Sequence, residues 1–337
     1  MNTRRTFLSV AAAAALSLGL AACGGSKAAD PGESQSGASG NTAVSVGTIG
    51  LASDASLRIA EDQGYLREAG ISGLEVKTVA NPPAAIAAVQ SGDIDVAYTP
   101  SVPFFNALNQ GIDLTVIAPA DGYPENALEM DAAELDDTGV YVPGGSDISS
   151  PRGLEGRKVS VPARKAQMEV TISEAIRQDG GDPSKVQWMV LDPASALDSL
   201  KNGRIDAAAL VSPFTQQAGA QGNTLLASPG VTFFEKGAVG LWVAGSDQVE
   251  QDPEKYEAFR DAMVQAYEYG NENTDEAQGY AAEITGVDLE TLRQGATTYW
   301  PLEAKFEDLN RANQKMTELG YQPQNAPFAE DSILGAE

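Results

Sequence analysis

The side chains an active site would draw on are scarce in these 337 residues. There is no histidine, and Cys23 is the only cysteine. Without an imidazole, a serine or cysteine lacks the usual partner that takes its proton, and the common zinc ligand sets cannot be assembled. No GxxxxGK phosphate loop, GxSxG elbow or EF-hand loop occurs. Paired carboxylates could still do acid–base work, but no spacing marks a pair. What remains are groups that bind: hydroxyls, amides, and the short basic stretch Arg164-Lys165. The expectation is recognition without turnover, with no catalytic residue, metal or cofactor.

Cys23 closes the tetrad Leu20-Ala21-Ala22-Cys23, behind Arg4-Arg5 and a mostly apolar run from Phe7 to Ala22. A basic start, an apolar middle and small residues at a cut form an export signal rather than part of a fold. The tetrad resembles a bacterial lipobox, which implies acylation of Cys23 with palmitate-type chains and a mature chain held at the extracytoplasmic face of the cell membrane. Thr3-Arg4-Arg5-Thr6-Phe7-Leu8 also resembles a twin-arginine motif, so either secretion route is open. The apolar run is short for a spanning helix, which needs about 20 residues. Residues 24–43, rich in Gly, Ser and Ala, read as a flexible polar tether.

The chain carries 47 Asp+Glu against 22 Lys+Arg, a net charge of −25. Removing Arg4 and Arg5 with the leader makes it −27 (−25 − 2). Such a surface excludes nucleic acid and an electrostatic grip on anionic lipid. The 315 residues left after the leader (337 − 22) suggest two domains.

From Val44 the pattern alternates strand and helix: strands at Val44–Leu51, Leu74–Val79, Ile94–Tyr98 and Leu114–Ala118, helices at Ser56–Glu68, Pro82–Gln90 and Ser101–Gln110. Prolines open helices and glycines close them. Further strands are expected at Thr138–Pro143, Val159–Val161, Val186–Leu191 and Ala238–Ala244, and a last helix at Glu303–Leu319. This rhythm gives an α/β fold with mostly parallel sheets and helices on both faces. Part of it recurs. Asn81-Pro82-Pro83-Ala84-Ala85-Ile86 leads to Gly92-Asp93-Ile94-Asp95, and Asp192-Pro193-Ala194-Ser195-Ala196-Leu197 leads to Gly203-Arg204-Ile205-Asp206, both at an offset of 111 (192 − 81 and 203 − 92). One βαβ unit is used once in each of two lobes.

The order of the lipobox, the tether, Gln63-Gly64-Tyr65-Leu66, Gly92-Asp93-Ile94-Asp95-Val96-Ala97, Leu154-Glu155-Gly156-Arg157-Lys158-Val159 and Gly203-Arg204-Ile205-Asp206-Ala207-Ala208 resembles the extracytoplasmic solute-binding proteins of ABC importers, in the group for sulfonates, taurine, nitrate and thiamine-pyrimidine precursors. The resemblance implies a two-lobed type II periplasmic-binding fold, with lobe I at 44–124 and 228–337 and lobe II at 125–227. It implies a monomer that takes a small organic anion or small heteroaromatic compound in the cleft and hands it to a permease. Ligands of open α/β sheets sit beyond the carboxyl ends of the strands, where helix N-termini offer N–H groups. That places the ligand contacts at Ser53, Asp54, Asn81, Pro82, Tyr98, Thr99, Ser101 and Tyr123 in one lobe. In the other they are Arg164, Lys165, Gln167, Ser212 and Phe214, with Arg164 offering a bidentate fork. Asp121 and Gly122 are expected near the hinge, and Trp242 in the core. The competing readings are a sensory receptor for a membrane partner and, more remotely, a carboxylate-based enzyme on the same scaffold.

Overall fold

The computed structural model describes residues 42–323 and 327–335. The expected export leader, Cys23 and most of the expected tether lie outside the described residues. Among the described residues there are ten strands: β1 (Thr42–Thr48), β2 (Ile71–Thr78), β3 (Val96–Pro100), β4 (Leu114–Tyr123), β5 (Thr138–Val142), β6 (Lys158–Val161), β7 (Gln187–Val190), β8 (Ala207–Val211), β9 (Thr224–Ala227) and β10 (Gly237–Gly245). They form two five-stranded sheets, ordered β2-β1-β3-β10-β4 and β7-β6-β8-β5-β9.

The two orders are the same pattern. β1 pairs in parallel with β2 and β3, as β6 does with β7 and β8. In each sheet the fourth strand arrives after the chain has crossed from the other sheet, and it enters antiparallel: β10 between β3 and β4, β5 between β8 and β9. Half of the eight pairings are therefore antiparallel, and the sheets are mixed rather than mostly parallel. A βα rhythm counts only the strands joined by helices on one side and cannot show the two that cross over.

The internal repeat has a local cause. Asn81 caps the helix Pro82–Ser91 by accepting Ala84 N–H (3.0 Å), and Asp192 caps Pro193–Lys201 by accepting Ser195 N–H (2.9 Å). The aspartate of each Ile-Asp pair then clips the neighbouring strand: Ser45 N–H donates to Asp95 and Lys158 N–H to Asp206, both at 2.8 Å. The helix expected over Ser56–Glu68 is broken into Ala55–Asp62 and Tyr65–Glu68 by Gly64, whose φ of +87° takes the left-handed turn at low cost.

Helices cover both faces of the first sheet. Val44, Val46, Ile59, Trp242, Phe259 and Tyr267 are buried on one side, and Val89, Phe104, Phe105, Leu114, Phe233 and Leu309 on the other. β3, β4 and β10 are buried almost end to end, as strands packed on two faces must be. The second sheet has smaller cores around Val159, Ile172 and Ile176 on one face and Leu197, Leu200 and Leu210 on the other.

Candidate functional site

A cavity of about 1100 Å³ opens where strand ends of both sheets meet. β3 contributes Tyr98 and Pro100, β4 contributes Asp121, Gly122 and Tyr123, and the start of β5 contributes Thr138, with Asp137 just before it. The loop after β6 contributes residues 162–167, and the segment Ala296–Tyr299 closes one side. Much of the wall is apolar, including Ile49, Leu51, Pro83, Ile86, Ile112, Leu135 and Val239, as in pockets that enclose a small organic ligand.

Of the residues expected at the site, Ser53, Asn81, Pro82, Tyr98, Tyr123, Arg164, Lys165 and Gln167 line this cavity. Asp54, Thr99, Ser101, Ser212 and Phe214 do not. Successive side chains of a strand point to opposite faces, so Tyr98 and Pro100 face the cavity while Thr99 between them is fully buried. Ser101 is likewise buried. Asp54 turns inward, accepting the Thr48 hydroxyl (2.5 Å) and Leu51 N–H (2.9 Å). Phe214 packs against the Leu197–Leu210 core, and Val211, just before Ser212, reaches the cavity in its place. Trp242 is in the core, edge-on to Tyr98.

Four charged side chains line the cavity: Asp121, Asp137, Arg164 and Lys165. Asp121 accepts Gly240 N–H at 2.8 Å. Burial raises its pKa, against the opposing pull of Gly240, Tyr98 and Ser53. Asp137 is open to the cavity but ringed by protein beyond it. Desolvation first, then the charges of Asp136 and Asp121, push it up to about 7. Asp137 carries no signal in the sequence, because an Asp-Asp pair before a strand reads as an ordinary turn.

Arg164 is already engaged. Its Nε and Nη2 donate to Glu169 at 2.6 and 3.3 Å, and Lys165 N–H adds a third bond to the same carboxylate at 2.8 Å. Glu169 is 2 % exposed and also accepts the Tyr321 hydroxyl (3.0 Å). It sits in the first turn of the helix Gln167–Gln178, where a negative charge is favoured. The fork and the helix start on which an anionic guest was expected thus hold an internal carboxylate.

Behind the cavity, Asp136 ties the two chain crossings together. It receives hydrogen bonds from the Tyr123 hydroxyl, Thr138 N–H and hydroxyl, Gly230 N–H and Val231 N–H. The last two begin the helix Pro229–Phe234 of the return crossing.

Two α/β lobes of mixed sheet with a cavity at the strand ends define a periplasmic-binding type of fold. The structure superposes on the periplasmic aliphatic sulphonate binding protein SsuA from Escherichia coli with a TM-score of 0.66 and 19 % identity, over 85 % of this chain and 94 % of that one. The periplasmic nitrate-binding protein NrtA from Synechocystis PCC 6803 gives a TM-score of 0.65 and 17 % identity, over 85 % and 83 %. In sequence, the taurine-binding periplasmic protein of Escherichia coli (strain K12) is 23 % identical over 255 residues, 73 % of this chain and 75 % of that protein. The family model described as NMT1/THI5 like matches residues 54–277. The chain belongs to that family. Among the described residues, no helix is long and apolar enough to cross a membrane, and no group of three or more His, Cys, Asp or Glu is placed to hold a metal ion.

Proposed function

We propose that this protein is an extracytoplasmic solute-binding lipoprotein. It is anchored through acylated Cys23, captures a small organic solute as a monomer, and delivers it to the permease of an ABC importer. The observation that carries the reading is the cavity of about 1100 Å³ lined from both sheets at their strand ends, the place where ligands of this architecture bind. Two lobes, 44–124 with 228–337 and 125–227, would close on the guest about the crossings that Asp136 ties. The solute classes are those of the sequence reading, a small organic anion or a small heteroaromatic compound. The binding names of these three relatives support solute capture.

Calorimetry against a panel of sulfonates, nitrate, aromatic carboxylates, pyrimidines and aromatic amines should find one-to-one binding of at least one class, with a matching rise in melting temperature. Silence across the panel would count against solute capture. For the anchor, Cys23→Ser should move the protein from the membrane fraction to the medium; an unchanged membrane fraction would remove lipidation from the reading.

A further inference from the structure

Resting on the solute-binding reading, we infer that the ligand's recognised end is a protonated nitrogen with several N–H donors, an ammonium or amidinium, held between Asp121 and Asp137. The site is the cavity; what the carboxylates decide is the class of guest it takes.

Three observations converge on that class. The first is charge. Arg164 is neutralised by Glu169, which leaves Asp121, Asp137 and Lys165 on the lining without a salt-bridge partner among the described residues, two carboxyl groups against one amine. No Lys or Arg forms a salt bridge with Asp121 or Asp137 among the described residues, although Lys255 pairs with Asp95 and Arg177 with Glu174 elsewhere. Carboxylates drawn into a low-dielectric pocket without a counter-ion are costly unless a partner arrives.

The second is the supply of donors. The helix starting at Pro82 reaches the cavity with Pro82 and Pro83, which have no N–H, and its next donor, Ala84 N–H, is taken by Asn81. At the helix Gln167–Gln178, Glu169 already holds the Lys165 N–H and two Arg164 donors. Sites of this kind hold anions elsewhere; here one has lost its first donors to two prolines and an internal cap, and the other carries the Glu169 carboxylate in its own first turn.

The third is the surrounding surface. Tyr98 and Tyr123 lie on the lining beside the carboxylates, both largely buried, and bring no positive charge to them. The net charge of −25 would draw a cation towards the cleft and slow the approach of an anion.

The pH response separates this assignment from its main rival, in which a protonated Asp137 donates a hydrogen bond to an anion or carbonyl. The groups facing Asp137 are Asp136 beside it, Asp121 and Tyr123 of β4, and Tyr98 of β3, with Arg164 and Lys165 elsewhere on the lining. A cation favours the charged carboxylate, so its binding should release protons and tighten as pH rises from about 5 to about 8. An anion held by the neutral acid would take up protons and weaken over the same range.

The experiment is calorimetry, in two buffers of different ionisation enthalpy, with benzylamine, benzamidine, benzyl alcohol and benzenesulfonate on the full mature chain, Asp137→Asn and Asp121→Asn. The amine and amidine should bind with proton release, the alcohol and sulfonate should not, and each Asn variant should lose about 30-fold or more in affinity for the cations. Circular dichroism melts should show both variants folded. Preferred binding of benzenesulfonate, or proton uptake, would overturn the cation assignment and leave solute capture standing. Amine and amidine binding unchanged in both folded Asn variants would also overturn it. A cavity that takes none of the four would sink the cation assignment, and the solute-binding reading falls with it only where the wider panel is silent too.

Discussion

Glu169 makes the clearest case at the scale of single residues. Its carboxylate holds Arg164, the Lys165 N–H and the Tyr321 hydroxyl at one buried point. Glu169→Gln keeps the shape but removes the charge, so the guanidinium is released. Sulfate or benzenesulfonate binding should then appear or strengthen at Arg164, read by calorimetry, while the melt shows a loss of about 1–3 kcal/mol; an anion affinity equal to that of the parent would show that Arg164 is not what Glu169 restrains. Asp54 offers a pH test. Burial raises its pKa to about 6, more than the Thr48 and Leu51 hydrogen bonds lower it. A buried acid with a raised pKa binds its proton more tightly folded than unfolded, so its contribution is full below about pH 4 and is lost as pH climbs through about 6. Asp54→Asn should flatten stability between those limits and gain about 2–3 kcal/mol at pH 7, measured by urea unfolding; an unchanged pH profile would mean that Asp54 ionises freely. The basic loop and the strand-end hydroxyls were legible from residue type and position. Asp137 and the engagement of Arg164 were not, because both depend on which distant side chain fills the neighbouring space.

Among the elements, the two crossings govern how the lobes are joined. Asp136 accepts five hydrogen bonds that reach β4, β5 and the helix Pro229–Phe234. Asp136→Ala should therefore cost about 2–4 kcal/mol by leaving buried donors without acceptors, and chemical denaturation with an intact slope would report it; a loss within experimental error would mean that water takes over those donors. Gly230 has no room for a side chain, since a Cβ would lie 2.7 Å from Asp136 Oδ1 and closer still to the Tyr123 hydroxyl. Helices with proline starts and glycine stops were legible element by element, and so was the paired βαβ unit. β4 was expected to end at Ala118 but runs to Tyr123, because β10 pairs along its whole length. No local pattern announces a partner more than a hundred residues away, and β9, four residues long, is too short to show a period.

For the whole molecule, the acidic surface should act on rates more than on equilibrium. If the guest is a cation, its association should slow as ionic strength rises and the field is screened over about 8–10 Å, while dissociation changes little; stopped-flow measurement with benzamidine across a salt series checks this, and a salt-independent on-rate would show that the net charge plays no part in capture. The shared strand order of the sheets also bears on biogenesis. β10 sits between β3 and β4, so β4 has no strand to pair with until residue 237 exists and no complete partner until residue 245, 122 residues after β4 ends at Tyr123 (245 − 123). At about 5–20 residues per second that is about 6–24 s on the ribosome. The second sheet needs only the uninterrupted stretch from Thr138 to Ala227. The first-made half of the polypeptide is therefore the last to close, and a nascent chain stalled before residue 237 would expose an incomplete first sheet beside a second sheet whose strands are all synthesised.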